Sequence, residues 1–218
     1  MPRKFVDTLG AVRYFDVLKA ELPPGMPVGI LIGFFDKKTL TAWDVIEWCL
    51  ANGHDVRVHG VWNATHKHTT KNVQQAVARA KRLNALKLAY PQRTILYSPF
   101  LEWKAIAGGA KKAFKKVRDA APDLRLVSCG DNIPNTIHET HYHGGGKIPK
   151  GDIASTDGVS HADVAEKYDA AAKDCLWMGS WEWENNGRSK GGPALPVNKR
   201  KHWTTPKQFR EQLKLLGA

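Results

Sequence analysis

The chain has 218 residues, of which 42% are hydrophobic and 25% are charged, and its formal net charge is +12. These values are typical of a globular protein with a substantial core, and we expect a single domain over residues 1–218. No apolar run approaches the roughly 20 residues that a membrane helix needs, so we expect no membrane span. The three cysteines, Cys49, Cys129 and Cys175, are too scattered for a disulfide framework or a zinc knuckle.

The N-terminal segment and the charge bear on where the protein acts. No long apolar stretch follows the first basic residues, so we expect no signal peptide and synthesis in the cytoplasm. Release on cell lysis, or carriage in a phage particle, would then bring it to an extracellular target. The excess of Lys and Arg predicts attraction to a polyanion, either nucleic acid or a bacterial envelope rich in phosphate and carboxylate.

Strand-like and helix-like segments alternate along the chain. The predicted strands are residues 13–18, 28–35, 56–62, 94–99, 124–129, about 138–142, 152–156 and 175–183. The predicted helices are residues 41–52, 70–89, 104–120, 160–174 and 206–216, which follow helical spacing or start at a capping residue. Repeated strand-helix units predict a parallel sheet, and eight strands are the number that closes a (β/α)8 barrel.

The length of the chain qualifies this fold prediction. Such barrels typically take about 250 residues, so we expect a compact α/β TIM-like barrel with some shortened or missing helices. The alternative is an open doubly wound sheet. No GxGxxG fingerprint follows the first strand and no Walker A sequence occurs, so we expect no nucleotide cofactor.

Carboxylates, amides and tryptophans follow the predicted strands one after another. In parallel sheets and barrels, catalytic groups gather at the C-terminal ends of the strands. The mixture suits a sugar-binding cleft, because amides and carboxylates bind hydroxyls and indoles stack on apolar C–H faces. The alternative for the eight tryptophans is that they fill the core. The candidate substrate-binding residues are Asp36, Trp62, Asn63, Trp103, His138, Glu139, Trp181, Trp183, Asn186 and Arg188.

Glu102 lies in the segment YSPFLEW, just beyond a predicted strand and between Leu101 and Trp103. Cleavage of a glycosidic bond needs two carboxyl groups, one of which protonates the leaving oxygen. That acid must stay protonated near neutral pH, which apolar neighbours favour. Glu102 is therefore the candidate general acid, and the alternative is a surface glutamate in the first turn of the following helix.

The segments SPFLE, IHETHYHGG, STDG and WEWENNGR resemble small phage-type proteins of the (β/α)8 glycoside hydrolase superfamily. The resemblance implies that Glu102, after the fourth strand, is the acid/base and that Asp157, after the seventh, is the nucleophile or base. Glu182 competes for the second role, because many such enzymes have a glutamate where this chain has Asp157. Retaining and inverting chemistry both stay open, since they require carboxyl separations of about 5 Å and roughly 6.5–9.5 Å. The implied substrate is a carbohydrate polymer, such as an anionic cell-envelope glycan.

Three alternatives compete with a glycosidase. The cluster His138, His141 and His143, together with His66 and His68, has the ligand types of a metal-dependent hydrolase. The ranges 111–118 and 198–201 are rich in Lys and Arg and suit nucleic-acid binding. We favour this less because no zinc-finger, RNP-like or basic-zipper pattern occurs, and because acidic and aromatic residues fall at the strand ends. The third alternative is a barrel that binds carbohydrate without cleaving it. We favour a site that contains no metal.

Overall fold

The computed structural model describes residues 3–7, 15–32, 42–61, 65–100, 103–129, 133–142, 153–157, 177–182, 209–210 and 213–214. Eight parallel strands form a closed barrel, in the order β1-β10-β9-β8-β7-β5-β3-β2. In chain order they are β1 (Arg3–Asp7), β2 (Val28–Leu31), β3 (Val56–Val61), β5 (Ile95–Phe100), β7 (Arg125–Cys129), β8 (Ile137–Tyr142), β9 (Ile153–Asp157) and β10 (Trp177–Glu182). Two short strands, β4 (Lys67–His68) and β6 (Ala105–Ile106), pair outside the barrel.

The register of the strand pairs defines the type of barrel. When the Cα partners are followed from strand to strand once around the barrel, the path returns to β1 eight residues away from its starting residue. A shear of eight with eight strands is the arrangement of (β/α)8 barrels. One irregularity lies between Ser180 and Glu182 of β10, where the register with β9 shifts.

Four helices that are described over their full ranges cover the outside of the barrel. They are α1 (Phe15–Glu21), α2 (Ala42–Ala51), α3 (Thr70–Ala89) and α4 (Ala110–Ala120). The side chain of Thr69 accepts a hydrogen bond from the Asn72 backbone, and the Asn72 side chain accepts one from the Thr69 backbone, so a capping box starts α3. The buried faces of the helices and the outer faces of the strands form one hydrophobic core. None of the helices in these ranges has the length and apolar character needed to cross a membrane.

The predicted α/β barrel is confirmed, and β5, β9 and β10 are its fourth, seventh and eighth strands as expected. The connection between β7 and β8, residues 130–136, is shorter than the dozen or so residues that a crossover helix takes, which fits the prediction of missing helices. The residues Phe209, Arg210, Leu213 and Lys214 are helical, within the range predicted for the last helix. The helix predicted at 160–174 lies outside the described residues.

Two local predictions were wrong. Residues 13–18 were expected to form the first strand, but Phe15–Glu21 is a helix and the first strand is Arg3–Asp7. Leu18 and Leu22 are buried and Phe15 packs against the core, so the apolar side chains follow the helical spacing rather than the alternation of a strand. The helix expected from residue 104 begins only at Ala110, because the preceding residues pair with β4.

Candidate functional site

The C-terminal rim of the barrel contains the ends of the strands that carry the candidate carboxylates. Asp157 and Glu182 are the last residues of β9 and β10, and they are Cα partners in the register of these adjacent strands. On the fourth strand, β5 ends at Phe100, two residues before Glu102. Because all strands are parallel, the ends of β5, β9 and β10 lie at the same edge of the barrel.

The residues on both sides of the Leu101–Glu102 pair are anchored in the apolar core. Phe100 is fully buried, and its ring lies 5.1 Å from the ring of His68 and 5.7 Å from that of Phe114. Trp103 is only 8% exposed, and its ring lies 5.4 Å from Phe114. The backbone that carries Glu102 therefore starts and ends at buried aromatic side chains.

Backbone hydrogen bonds also join the residues after Trp103 to the short strand β4 and the residue before it. The backbone N–H of Lys104 donates to the carbonyl of His66 at 2.7 Å, and that of Ala107 donates to His68 at 2.8 Å. These bonds and the β4–β6 pairing join the connection after β3 to the connection after β5. The two connections thus form one unit on the rim.

The interior of the barrel contains a buried cluster of charged and polar side chains. A guanidinium nitrogen of Arg57 contacts the carboxylate of Glu139, and Nε2 of His59 lies 3.7 Å from its other oxygen. All three side chains are 0% exposed. Arg57 and His59 belong to β3 and Glu139 to β8, and two other strands, β5 and β7, separate these in the sheet. The side chains therefore meet across the lumen of the barrel.

Small neighbours make room for this cluster. Arg57 has Gly29 as its register partner on β2, and His59 has Ser98 on β5. Branched aliphatic residues dominate the interior of most (β/α)8 barrels, whereas Arg57 and Glu139 bring opposite charges into it. Buried charges persist in proteins when they are paired, and this cluster satisfies that condition.

The structure places His138 and Glu139, which were both predicted to bind substrate, on opposite faces of β8. Glu139 is 1% exposed and lies inside the barrel against Arg57, so a substrate at the rim does not reach its carboxylate in this structure. His138 is on the opposite face of β8, in register with Ser128, whose hydroxyl accepts a hydrogen bond from Thr136. Trp103 is part of the core, which leaves little of its surface for stacking on a sugar.

The remaining predicted residues cannot be assigned contacts. Glu102 lies outside the described residues, as do Asp36, Trp62, Asn63, Trp183, Asn186 and Arg188. Only the backbone is described for Asp157, Trp181, Glu182 and His141. Their roles stay predictions.

The histidines of the metal alternative are arranged differently from the expected strand. His66 has a φ of 55°, and β4 contains only Lys67 and His68, so the H-x-H pair is not on one extended strand. Within the described ranges, no group of three side chains has the composition and proximity of a metal site. His143 lies outside these ranges.

Arg57 and His59 were not among the predicted site residues. The signal was present, because they alternate with Val56 and Val58 in a strand bounded by apolar residues. The valines belong to the core under the helices, so the alternation places Arg57 and His59 on the interior face. What the sequence did not indicate is that Glu139, on a distant strand, is their partner.

No protein-family model matches the chain, and no curated protein matches it in sequence. Among solved structures, the catalytic domain of Thermobifida fusca endoglucanase Cel5A (E5) is similar, with a TM-score of 0.57 and 14% identity over 99% of this chain and 92% of that one. A structure of L-ribulose 3-epimerase has a TM-score of 0.51 and 10% identity over 98% of this chain and 92% of that one. At these identities the likeness concerns architecture, and it agrees with the strand order and register: the protein has an α/β fold of the (β/α)8 barrel type.

Proposed function

We propose that the protein hydrolyses glycosidic bonds of a polysaccharide or of a peptidoglycan glycan strand at the C-terminal rim of its barrel. The observation that carries the proposal is the register of Asp157 with Glu182 at the ends of adjacent strands. Adjacent strands are about 4.8 Å apart, so two carboxylate residues of the chain neighbour each other at the edge where barrel enzymes bind substrates. The fourth strand, β5, ends at the same edge, two residues before Glu102 in the sequence.

Glu102 is assigned the role of general acid. Its neighbours in sequence, Phe100 and Trp103, are buried among aromatic rings, and an apolar environment favours the protonated form of a carboxyl group. Asp157 is assigned the role of nucleophile or base, with Glu182 as the alternative. The pairing of the two strands supports a single shared location for this second role, whichever of the two residues fulfils it.

The likeness to an endoglucanase domain supports the proposal only as an analogy of fold. The (β/α)8 barrel hosts many unrelated reactions, and the epimerase of similar architecture illustrates this. The main support for the proposal is therefore the pairing of Asp157 with Glu182 at the strand ends. The excess of positive charge further supports an anionic glycan as the substrate.

The decisive test is a hydrolysis assay on bacterial cell walls and on a panel of purified glycans, with the variant Glu102→Gln. Loss of a general acid lowers the rate by about 10²–10⁴-fold. The matched control is Glu47→Gln on α2, where the carboxylate is 45% exposed and paired with Arg82. We expect the control to keep full activity, and a chelator to leave the activity of the native enzyme unchanged.

An activated aryl glycoside separates the two catalytic roles. Its leaving group needs little protonation, so Glu102→Gln should recover much of its rate of aryl release in the first turnover. In a retaining enzyme the later hydrolysis step would stay slow, because that step needs Glu102 as the base. Asp157→Asn or Glu182→Gln, whichever removes the second carboxylate, should stay inactive on both substrates. Full activity of Glu102→Gln on the natural glycan would contradict the assignment of the acid, and inhibition by a chelator would favour the metal-dependent alternative.

A further inference from the structure

A groove lies on the outside of the barrel between α3 and α4. Its volume is about 730 Å³, and residues of both helices line it, including Val73, Val77, Lys81, Lys116 and Ala120. It is distinct from the C-terminal rim where we place the proposed catalytic residues.

The floor of the groove is aliphatic and its sides are charged. Val73 is buried and Val77 is partly buried against the core, whereas Lys81 and Lys116 are exposed on opposite sides. The carboxylate of Asp119, which also lines the groove, is 2.7 Å from the ammonium group of Lys115, so a cation outside the lining offsets its charge. The groove therefore offers an apolar base between two lysine ammonium groups.

The charge on α4, which forms one side of the groove, is predominantly positive. Helix α4 carries five basic residues, Lys111, Lys112, Lys115, Lys116 and Arg118, and one acidic residue, Asp119. All four of these lysines are exposed. A concentration of like charge on one helix attracts a polyanion, and Coulomb attraction adds along a chain of repeated charges.

One end of the groove is next to the rim. Thr70, the first residue of α3, lines the groove and follows the short strand Lys67–His68 by two residues. That strand pairs with β6, so it joins the connection after β3 to the connection after β5. A linear polymer in the groove would thus lead from the outer surface toward the C-terminal rim.

We infer that this groove is an accessory binding site for an acidic polysaccharide, in which Lys81 and Lys116 contact anionic substituents and the valines contact the C–H faces of the sugar rings. The assignment to a glycan rests on the proposed function. It is favoured over single-stranded nucleic acid because the aliphatic floor can contact the C–H faces of sugar rings, whereas bases would need aromatic side chains to stack on, and the lining residues within the described ranges contain none.

The test compares two double variants by measuring their affinity for polygalacturonate. Lys81→Gln with Lys116→Gln removes the groove lysines, whereas Lys71→Gln with Lys111→Gln removes one exposed lysine from each of the same helices but none from the lining. Both variants are made in the Glu102→Gln background, so that binding is measured without cleavage. A neutral glycan and a single-stranded DNA of similar length serve as additional ligands.

We expect the groove variant to bind polygalacturonate about 3- to 10-fold more weakly, and the control variant to lose less than about 2-fold. The slope of log affinity against log salt should fall by about one for each groove lysine that contacts an anion. Affinity for the neutral glycan should be low and equal in both variants.

Several results would overturn the inference. Equal losses in both double variants would show that the attraction is a general effect of net charge. Binding of the DNA that depends on Lys81 and Lys116 and exceeds the binding of polygalacturonate would assign the groove to nucleic acid. If the groove lysines matter for glycan binding but no glycan is cleaved, the proposed function fails while the groove assignment stands. If a glycan is cleaved but the groove variant binds polygalacturonate as tightly as the control variant, the proposed function stands and the groove assignment fails.

Discussion

Replacing Glu139 by Leu removes the carboxylate that Arg57 contacts inside the barrel. Both side chains are 0% exposed, so the guanidinium would stay buried after losing the carboxylate that it contacts. Breaking one partner of a buried pair costs about 3–5 kcal/mol. Since whole domains are stable by only about 5–15 kcal/mol, we expect Glu139→Leu to lose a large part of the free energy of unfolding.

The double variant Arg57→Met with Glu139→Leu should behave differently. It removes both charges and fills the interior with apolar groups, and such replacements are often neutral or stabilising by about 1–4 kcal/mol. The double variant should therefore be several kcal/mol more stable than Glu139→Leu, although it has one more substitution. Urea unfolding of the native protein, both single variants and the double variant measures the coupling energy directly.

A surface pair provides the control for this cycle. Arg82 and Glu47 are 3.0 Å apart with side chains 51% and 45% exposed, so Glu47→Leu should cost less than about 1 kcal/mol. The reasoning is refuted if Glu139→Leu is no more destabilising than Glu47→Leu. It is also refuted if the effects of Arg57→Met and Glu139→Leu simply add in the double variant.

Three further predictions concern the core around the barrel. Gly60→Ala places a Cβ 2.6 Å from the hydroxyl of Tyr97, so we expect a loss of about 1–3 kcal/mol in urea unfolding, and an unchanged stability would contradict this. Burial lowers the pKa of His54, against the opposing effect of its contact with the Met26 carbonyl. The unfolded chain therefore binds a proton that the folded chain does not, and stability should fall as the pH decreases below about 6.5. His54→Phe should make the free energy of unfolding less dependent on pH in this range. An equal pH dependence in the variant and the native protein would refute the prediction. Burial also raises the pKa of the Cys49 thiol, so mass spectrometry after treatment with an alkylating reagent should find Cys49 modified only when denaturant is present.

The candidate site was predictable in part from the sequence. The ends of β5, β9 and β10 fall where SPFLE, STDG and GSWEW led us to expect them, because each motif closes a run with strong strand character. Parallel strands end at one edge, so the alternation of strands and helices was enough to predict which strand ends share the rim. The error at residues 13–18 arose because a short mixed segment has too few positions to distinguish helical spacing from alternation.

Alternation, capping and apolar runs are properties of neighbouring residues, so they predicted seven of the eight barrel strands and the helices α2, α3 and α4, but not β1 or α1. Thr69 and Asn72 begin α3, and the valines of β3 identify its outer face, without reference to any distant residue. The contacts of Glu139 with Arg57 and His59, and the lysine-edged groove between α3 and α4, could be seen only in the folded chain. The physical reason is that these contacts depend on the closure of the sheet and on the register of its strands, which accumulates over eight strand pairs and is encoded in no single segment.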